Sequence, residues 1–232
     1  MAALGDPNSL PYEAPQIDLP ALEPQTLVLK DGSVATVYPT FGADMVAPEL
    51  QERMLKEFNL EIEAGQTYPQ TEPLSIETFR HYWMGRFAAI LIQGTEVTPT
   101  AENVDWDKLF LGTFYVKPNY PGRCSHVCNA GFLVNTETRG KGVGRRLGEV
   151  YIQWAPYLGY TYSVFNLVFA TNIASIRIWE SLGFERIGKV KRAGKLKGIP
   201  EPVDAIVFGR DLILGETVAD ANGVSNGYSN GH

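Results

Sequence analysis

Residues 139–146, at the end of the run NAGFLVNTETRGKGVGRR, set four cations, Arg139, Lys141, Arg145 and Arg146, among three glycines, Gly140, Gly142 and Gly144. Glycine lets a backbone turn sharply and come close to a ligand. A helix starting in such a turn offers unpaired N–H groups and the positive end of its dipole to an anion. The chemistry indicated is the grip of a diphosphate. The glycines alone do not name the ligand, because neither the acidic ribose ligand of a dinucleotide fingerprint nor the Lys-Ser/Thr ending of a P-loop follows. Cys124, His126 and Cys128 form CSHVC, but two cysteines and three histidines in the whole chain leave a tetrahedral metal site without ligands. No metal is expected.

The turn needs a strand before it and a helix after it. Residues 143–154 place Val143, Leu147, Tyr151 and Trp154 on one face, and Pro156 should stop that helix. A second segment repeats the logic. Residues 162–169 are nearly uncharged and suit a strand buried on both faces; Asn172 stands where a helix should begin, Ile176, Trp179 and Leu182 follow at helical spacing, and Gly183 supplies a left-handed stop before Phe184 opens another strand. Upstream, residues 26–37 read as a hairpin about Asp31-Gly32. Pro48 opens a helix with Leu50, Met54, Phe58 and Ile62 every four residues and Gly65 at its end. Residues 75–85 read as a second helix, 88–93 and 109–117 as strands joined by the polar insertion 95–107, and 203–210 as a last strand.

The first turn, RGKGVG, fits Arg-x-x-Gly-x-Gly at a helix entrance, and together with the later asparagine and Gly-Phe it resembles the GNAT acyltransferase superfamily. The resemblance implies an α/β fold with a mixed, mainly antiparallel sheet flanked by helices. It further implies that Arg139, Gly140, Lys141, Gly142, Val143 and Gly144 hold the pyrophosphate of acetyl-coenzyme A, that Asn172 joins the coenzyme site, and that backbone about Leu133 and Val134 faces the pantetheine arm and thioester carbonyl. A narrower resemblance rests on LGTFYVKPNYPGRCSHVCNAGFLVN, VYIQWAPYLGYTYSVFNLVFATN, EPVDAIVFGRDL and FNLEIEAGQTYPQ. These runs are similar to the fungal L-azetidine-2-carboxylate N-acetyltransferases, which implies acetylation of small cyclic imino acids such as proline analogues, a detoxifying role and a homodimer.

On that resemblance Asn135 and Asn172, at the ends of the two apolar strands, are the expected catalytic pair. Amides cannot act as bases at neutral pH, but they can orient an amine, a carboxylate or a thioester. A turn role for Asn135 and a cap role for Asn172 stand beside the functional reading. Trp179 occupies the position where many of the superfamily carry a tyrosine acid, and an indole N–H is a very poor acid.

Composition bounds the rest. In 232 residues, 44% of them hydrophobic, one domain at residues 26–214 is expected, with an extended arm at 1–25 and a disordered tail at 215–232. A net charge of −6 argues against a general nucleic-acid surface. No apolar run approaches the roughly 20 residues that span a bilayer, and no membrane partner is expected. The acidic N-terminus resembles neither a signal nor a transit peptide, so cytoplasm is expected, with mitochondrial import left open. Two other functions fit the residues: acetylation of a primary amine such as a polyamine or a phosphinothricin-like amino acid, and a coenzyme-binding regulatory module without turnover.

Overall fold

The computed structural model describes residues 22–216, so the expected N-terminal arm and C-terminal tail lie almost wholly outside the described residues. Eight strands form one sheet: β1 (Gln25–Val28), β2 (Val34–Thr40), β3 (Phe87–Gln93), β4 (Phe110–Pro118), β5 (Val127–Val134), β6 (Tyr162–Phe169), β7 (Glu185–Gly194) and β8 (Val203–Asp211). Their spatial order is β1-β2-β3-β4-β5-β6-β8-β7. Every neighbouring pair is antiparallel except β5 and β6, which run parallel.

Helices cover both faces of this sheet. On one lie α1 (Pro48–Ala64) and α2 (Ile76–Met84), and α3 (Trp106–Leu109) is a single turn in the polar insertion. Leu50, Met54, Phe58 and Ile62 of α1 are all buried, as their spacing requires, and pack with Phe79 and Trp83 of α2. Burial of each such side chain contributes about 1.5–3 kcal/mol. Gly65 ends α1 with φ at 65°, a left-handed conformation that glycine adopts without a Cβ clash. Ser75 caps α2 by accepting from the Thr78 N–H.

The opposite face carries α4 (Val143–Trp154) and α5 (Ile173–Ser181). They pack very closely at Gly148, where an added Cβ would lie 2.6 Å from Leu182 Cδ1. Asn172 caps α5, its Oδ1 accepting from the Ser175 N–H. Trp179 is buried among Phe132, Phe165 and Phe184, with ring centroids at 4.8, 4.6 and 5.5 Å, which makes it a packing residue. The outermost strand, β7, is exposed at nine of its ten residues.

Candidate active site

Strands β5 and β6 pair only at Val127 with Tyr162 and at Cys128 with Ser163, and then part. At the point of parting the Tyr151 hydroxyl bonds Ser163 Oγ at 2.6 Å and lies 3.1 Å from Cys128 Sγ, tying both strands to α4. Burial pushes the Cys128 thiol up to about 12, so it remains a thiol. Beyond this point Phe132, Phe165 and Trp179 occupy the wedge between the strands on the α4/α5 side. A bulge in β6 between Phe165 and Val168 carries it away with β8.

The ladder with β4 fixes which backbone groups face the gap. The Asn135 N–H donates to Leu111 and the Asn119 N–H to Val127, so odd-numbered residues of β5 point their peptide groups at β4 and even-numbered ones at the gap. Ala130, Phe132 and Val134 therefore offer backbone groups to the gap. Leu133 does not: its peptide faces β4 and its side chain is 1% exposed, which narrows the expectation of Leu133 and Val134 to Val134. The Phe132 carbonyl accepts a 2.8 Å bond from the hydroxyl of Tyr68, in the loop after α1. Burial, with Tyr82 and Glu61 adding to it, holds the Tyr68 phenol well above its ordinary range, so it stays a donor.

At its far end the gap meets the glycine turn. Gly140 and Gly142 have φ of 87° and 81°, and Gly142 is the N-cap of α4. Among the described residues the N–H groups of Gly140, Gly142, Val143, Gly144 and Arg145 have no acceptor. Gly144 keeps the helix start close to its neighbours, since a Cβ there would lie 3.3 Å from Ile178 and 3.6 Å from Val134. The surrounding cations are all engaged: Arg139 with Glu61, Lys141 with Asp31 at 3.7 Å, and Arg145 and Arg146 with Glu149 at 2.9 and 2.7 Å. Much of the charge expected to meet an anion is thus already met by carboxylates, and the backbone donors carry the site.

The two asparagines singled out by sequence separate. Asn135 is 0% exposed; its Nδ2 donates to the Phe110 carbonyl at 2.8 Å and its Oδ1 accepts from the Glu137 N–H at 3.1 Å. Its side chain thus fixes the β5–α4 connection, the turn role that stood beside the expected catalytic one. Glu57 of α1 braces the same connection, accepting from the Thr136 N–H at 2.8 Å and from its hydroxyl while paired with Arg53. Burial raises the Glu57 pKa, but the bonds from Thr136 and Arg53 outweigh it and hold the carboxylate below its ordinary range. Asn172 caps α5 through Oδ1 and has no partner for Nδ2 among the described residues.

A different set of amides meets near the point of parting. Asn166 in the β6 bulge donates to Asn119 Oδ1 at 2.6 Å, Asn119 Nδ2 returns a 3.3 Å bond, and Asn129 of β5 reaches Asn119 Oδ1 at 3.4 Å. They lie in the runs that carry the narrower resemblance, KPNYP, CNAGF and FNLVF, yet nothing local distinguishes them from turn or strand asparagines. Lys117, Tyr82 and Tyr115 adjoin this cluster on the α1/α2 face, where the two phenol oxygens are 3.1 Å apart. A separate cleft of about 630 Å³ is lined by Tyr68, Gln70, Leu167, Gly194 and Lys197 among others. Buried in its wall, Gln70 Oε1 has no partner among the described residues.

Cys124 is exposed and Cys128 buried, so the CSHVC thiols do not converge, and among the described residues no group of three or more His, Cys, Asp or Glu side chains is arranged to hold a metal. No helix among the described residues is long and apolar enough to cross a membrane.

A gap edged by peptide groups that pair with no neighbouring strand and closed at one end by free helix N–H groups fits a donor with a diphosphate and an amide-bearing arm. Comparison with known proteins agrees. The acetyltransferase (GNAT) family matches residues 65–184, just over half of the chain. The N-acetyltransferase aca1 of Schizosaccharomyces pombe is 46% identical over 165 residues, which cover 69% of this chain and 79% of that protein. Protein SPT10 of Saccharomyces cerevisiae is 37% identical over 84% of this chain, which spans only 36% of SPT10. A GCN5-related N-acetyltransferase from Kribbella flavida has a TM-score of 0.63 at 30% identity, covering 76% of this chain and 98% of that one. Solved neighbours of the fold include complexes with acetyl-CoA. Split strands, glycine turn and sequence kinship coincide at one place, and the chain belongs to the acetyltransferase (GNAT) family.

Proposed function

We propose that this protein transfers the acetyl group of acetyl-CoA to the nitrogen of a small cyclic imino acid, with L-azetidine-2-carboxylate and related proline analogues as the substrate class. The observation that carries the transfer reading is the β5–β6 gap ending on the free N–H groups of Gly140 and of residues 142–145. In this reading Gly140, Gly142, Val143 and Gly144 receive the pyrophosphate through backbone donors, while Lys141 and Arg139 reach it with their side chains by leaving Asp31 and Glu61. The Phe132 N–H and the peptide groups of Val134 bind the pantetheine arm and thioester. The substrate class rests on the narrower sequence resemblance.

An alkyl ammonium of ordinary pKa, about 10.4, is almost wholly protonated at neutral pH, so the acceptor must lose a proton before it attacks the thioester carbon. Attack forms the C–N bond, the C–S bond breaks, and the coenzyme leaves as a thiolate that takes up a proton. Asn129 and Asn166 are placed to orient the acceptor near the parting of the strands, with Asn172 Nδ2 on the other bank. Trp179 takes no part in proton transfer. A homodimer, cytoplasmic location and detoxifying role are proposed on the resemblance alone.

Turnover with acetyl-CoA and a panel of acceptors, read by mass spectrometry of the products, tests the reading. L-azetidine-2-carboxylate should be acetylated faster than spermidine, lysine or phosphinothricin. Preference for a primary amine would move the function to that class, and coenzyme binding without transfer to any amine would make the protein a regulatory module.

A further inference from the structure

Lys117 projects from β4 directly opposite Asn129, and the ladder continues to Asn119, so lysine and amides share one face of the sheet. Its ammonium lies 4.3 Å from the centre of the Tyr82 ring and 4.7 Å from that of Tyr115. Among the described residues no carboxylate pairs with it. The cations of the glycine turn differ, each having its acid. Burial alone lowers the Lys117 ammonium to about 8, which leaves it mostly charged at neutral pH.

A half-buried ammonium without a counter-ion is costly to a fold. Two aromatic faces recover part of that cost. The hydrogen-bonding capacity of the site remains: three ammonium protons, the Asn119, Asn129 and Asn166 amides, and the Tyr82 and Tyr115 hydroxyls, all beside the point where β5 and β6 part. Such a set suits a small anion fixed to the reacting amine. It does not suit a polycation, which would meet like charge.

Resting on the acetyl-transfer reading, we propose that Lys117 anchors the carboxylate of the acceptor, so that the enzyme selects amines carrying an adjacent carboxylate. Asn129 and Asn166 then set the ring nitrogen against the thioester while the ammonium holds the other end of the molecule.

The test compares L-azetidine-2-carboxylate with azetidine, the same ring without the acid, in wild type, Lys117→Met and Lys117→Arg. Wild type should favour the acid. Lys117→Met should lose roughly 10- to 100-fold in kcat/KM for the acid, the range of a hydrogen bond to a charged group, chiefly through KM. Its kcat/KM for azetidine and its KM for acetyl-CoA should stay within about threefold. Lys117→Arg should recover part of the loss, and the melting temperature of the Met variant should hold or rise once the unpaired charge is gone. Equal losses for both acceptors, or wild type acetylating azetidine as fast as the acid, would overturn the role of Lys117 and leave acetyl transfer standing. The wild-type comparison decides this even if a variant misfolds. No transfer to any amine would overturn the transfer reading and this proposal together.

Discussion

The two ends of the candidate site are built in opposite ways. At the glycine turn, six consecutive residues make the site: a strand ends, Gly140 and Gly142 take left-handed conformations, and α4 begins with its donors free. At the acceptor end, Lys117, Asn119, Asn129 and Asn166 come from β4, the loop after it, β5 and β6, and are joined only by the sheet register and the β6 bulge. The first is local and its cations are balanced by Glu61, Asp31 and Glu149. The second is non-local and holds an unbalanced cation. A local anion site can be read from its own segment, whereas an acceptor site depends on elements meeting.

The sharpest break of this contrast is Gly142→Asp. It puts a side chain on a residue at φ 81° and a negative charge where the phosphate should sit. Acetyl-CoA affinity by calorimetry should fall by about 100-fold, equal to about 2.7 kcal/mol. Unchanged affinity in the folded variant would remove the pyrophosphate from this turn.

Next in size are Asn129→Ala and Asn166→Ala. Each should lower kcat/KM for the acceptor by roughly 10- to 100-fold if a positioning bond worth about 1–3 kcal/mol is lost. Coenzyme affinity should be unaffected. Weakened coenzyme binding with normal acceptor kinetics would exchange the roles of the two ends.

Asn135→Ala probes the residue that sequence placed in the chemistry and structure places beneath it. Removing an amide that satisfies the Phe110 carbonyl and the Glu137 N–H should cost about 1–3 kcal/mol of stability by denaturant melting, with activity falling in step. Full stability with lost turnover would return Asn135 to the catalytic set.

The smallest effect is at Glu57. Its folded pKa lies below the ordinary 4.5, so its carboxylate contributes stability above pH 4.5 that is lost as pH falls through the folded value. Wild type should exceed Glu57→Gln by about 1 kcal/mol at neutral pH, with the difference shrinking below pH 4.5. A constant difference down to pH 3 would show that the brace at Thr136 does not depend on charge.

Much of the architecture was legible because it rests on short-range rules. The four-residue spacing from Leu50 to Ile62, the Ser75 and Asn172 caps and the left-handed glycines at 65, 142 and 183 all do what their residue types favour. Asn172 is the instructive intermediate case: its cap role is a property of the segment, while what its free Nδ2 can meet depends on how α5 packs beside α4 on the sheet. The two roles open to Asn135 could not be told apart locally, because an asparagine at the end of an apolar strand reads the same whether it points into a gap or back at Phe110.

The amino-acid sequence by itself determined the glycine turn, the helices on either side of the sheet and the kinship they announce, since each depends on residues within a few positions of one another. Tertiary structure alone decided that β5 and β6 separate after Cys128 and Ser163, that Leu133 turns away from the gap while Val134 faces it, and that Asn129 and Asn166 rather than Asn135 meet there. The reason is physical: strand register and splay are set by contacts between segments tens of residues apart, above all the aromatic wedge of Phe132, Phe165 and Trp179, and no local pattern encodes which faces those contacts bring together.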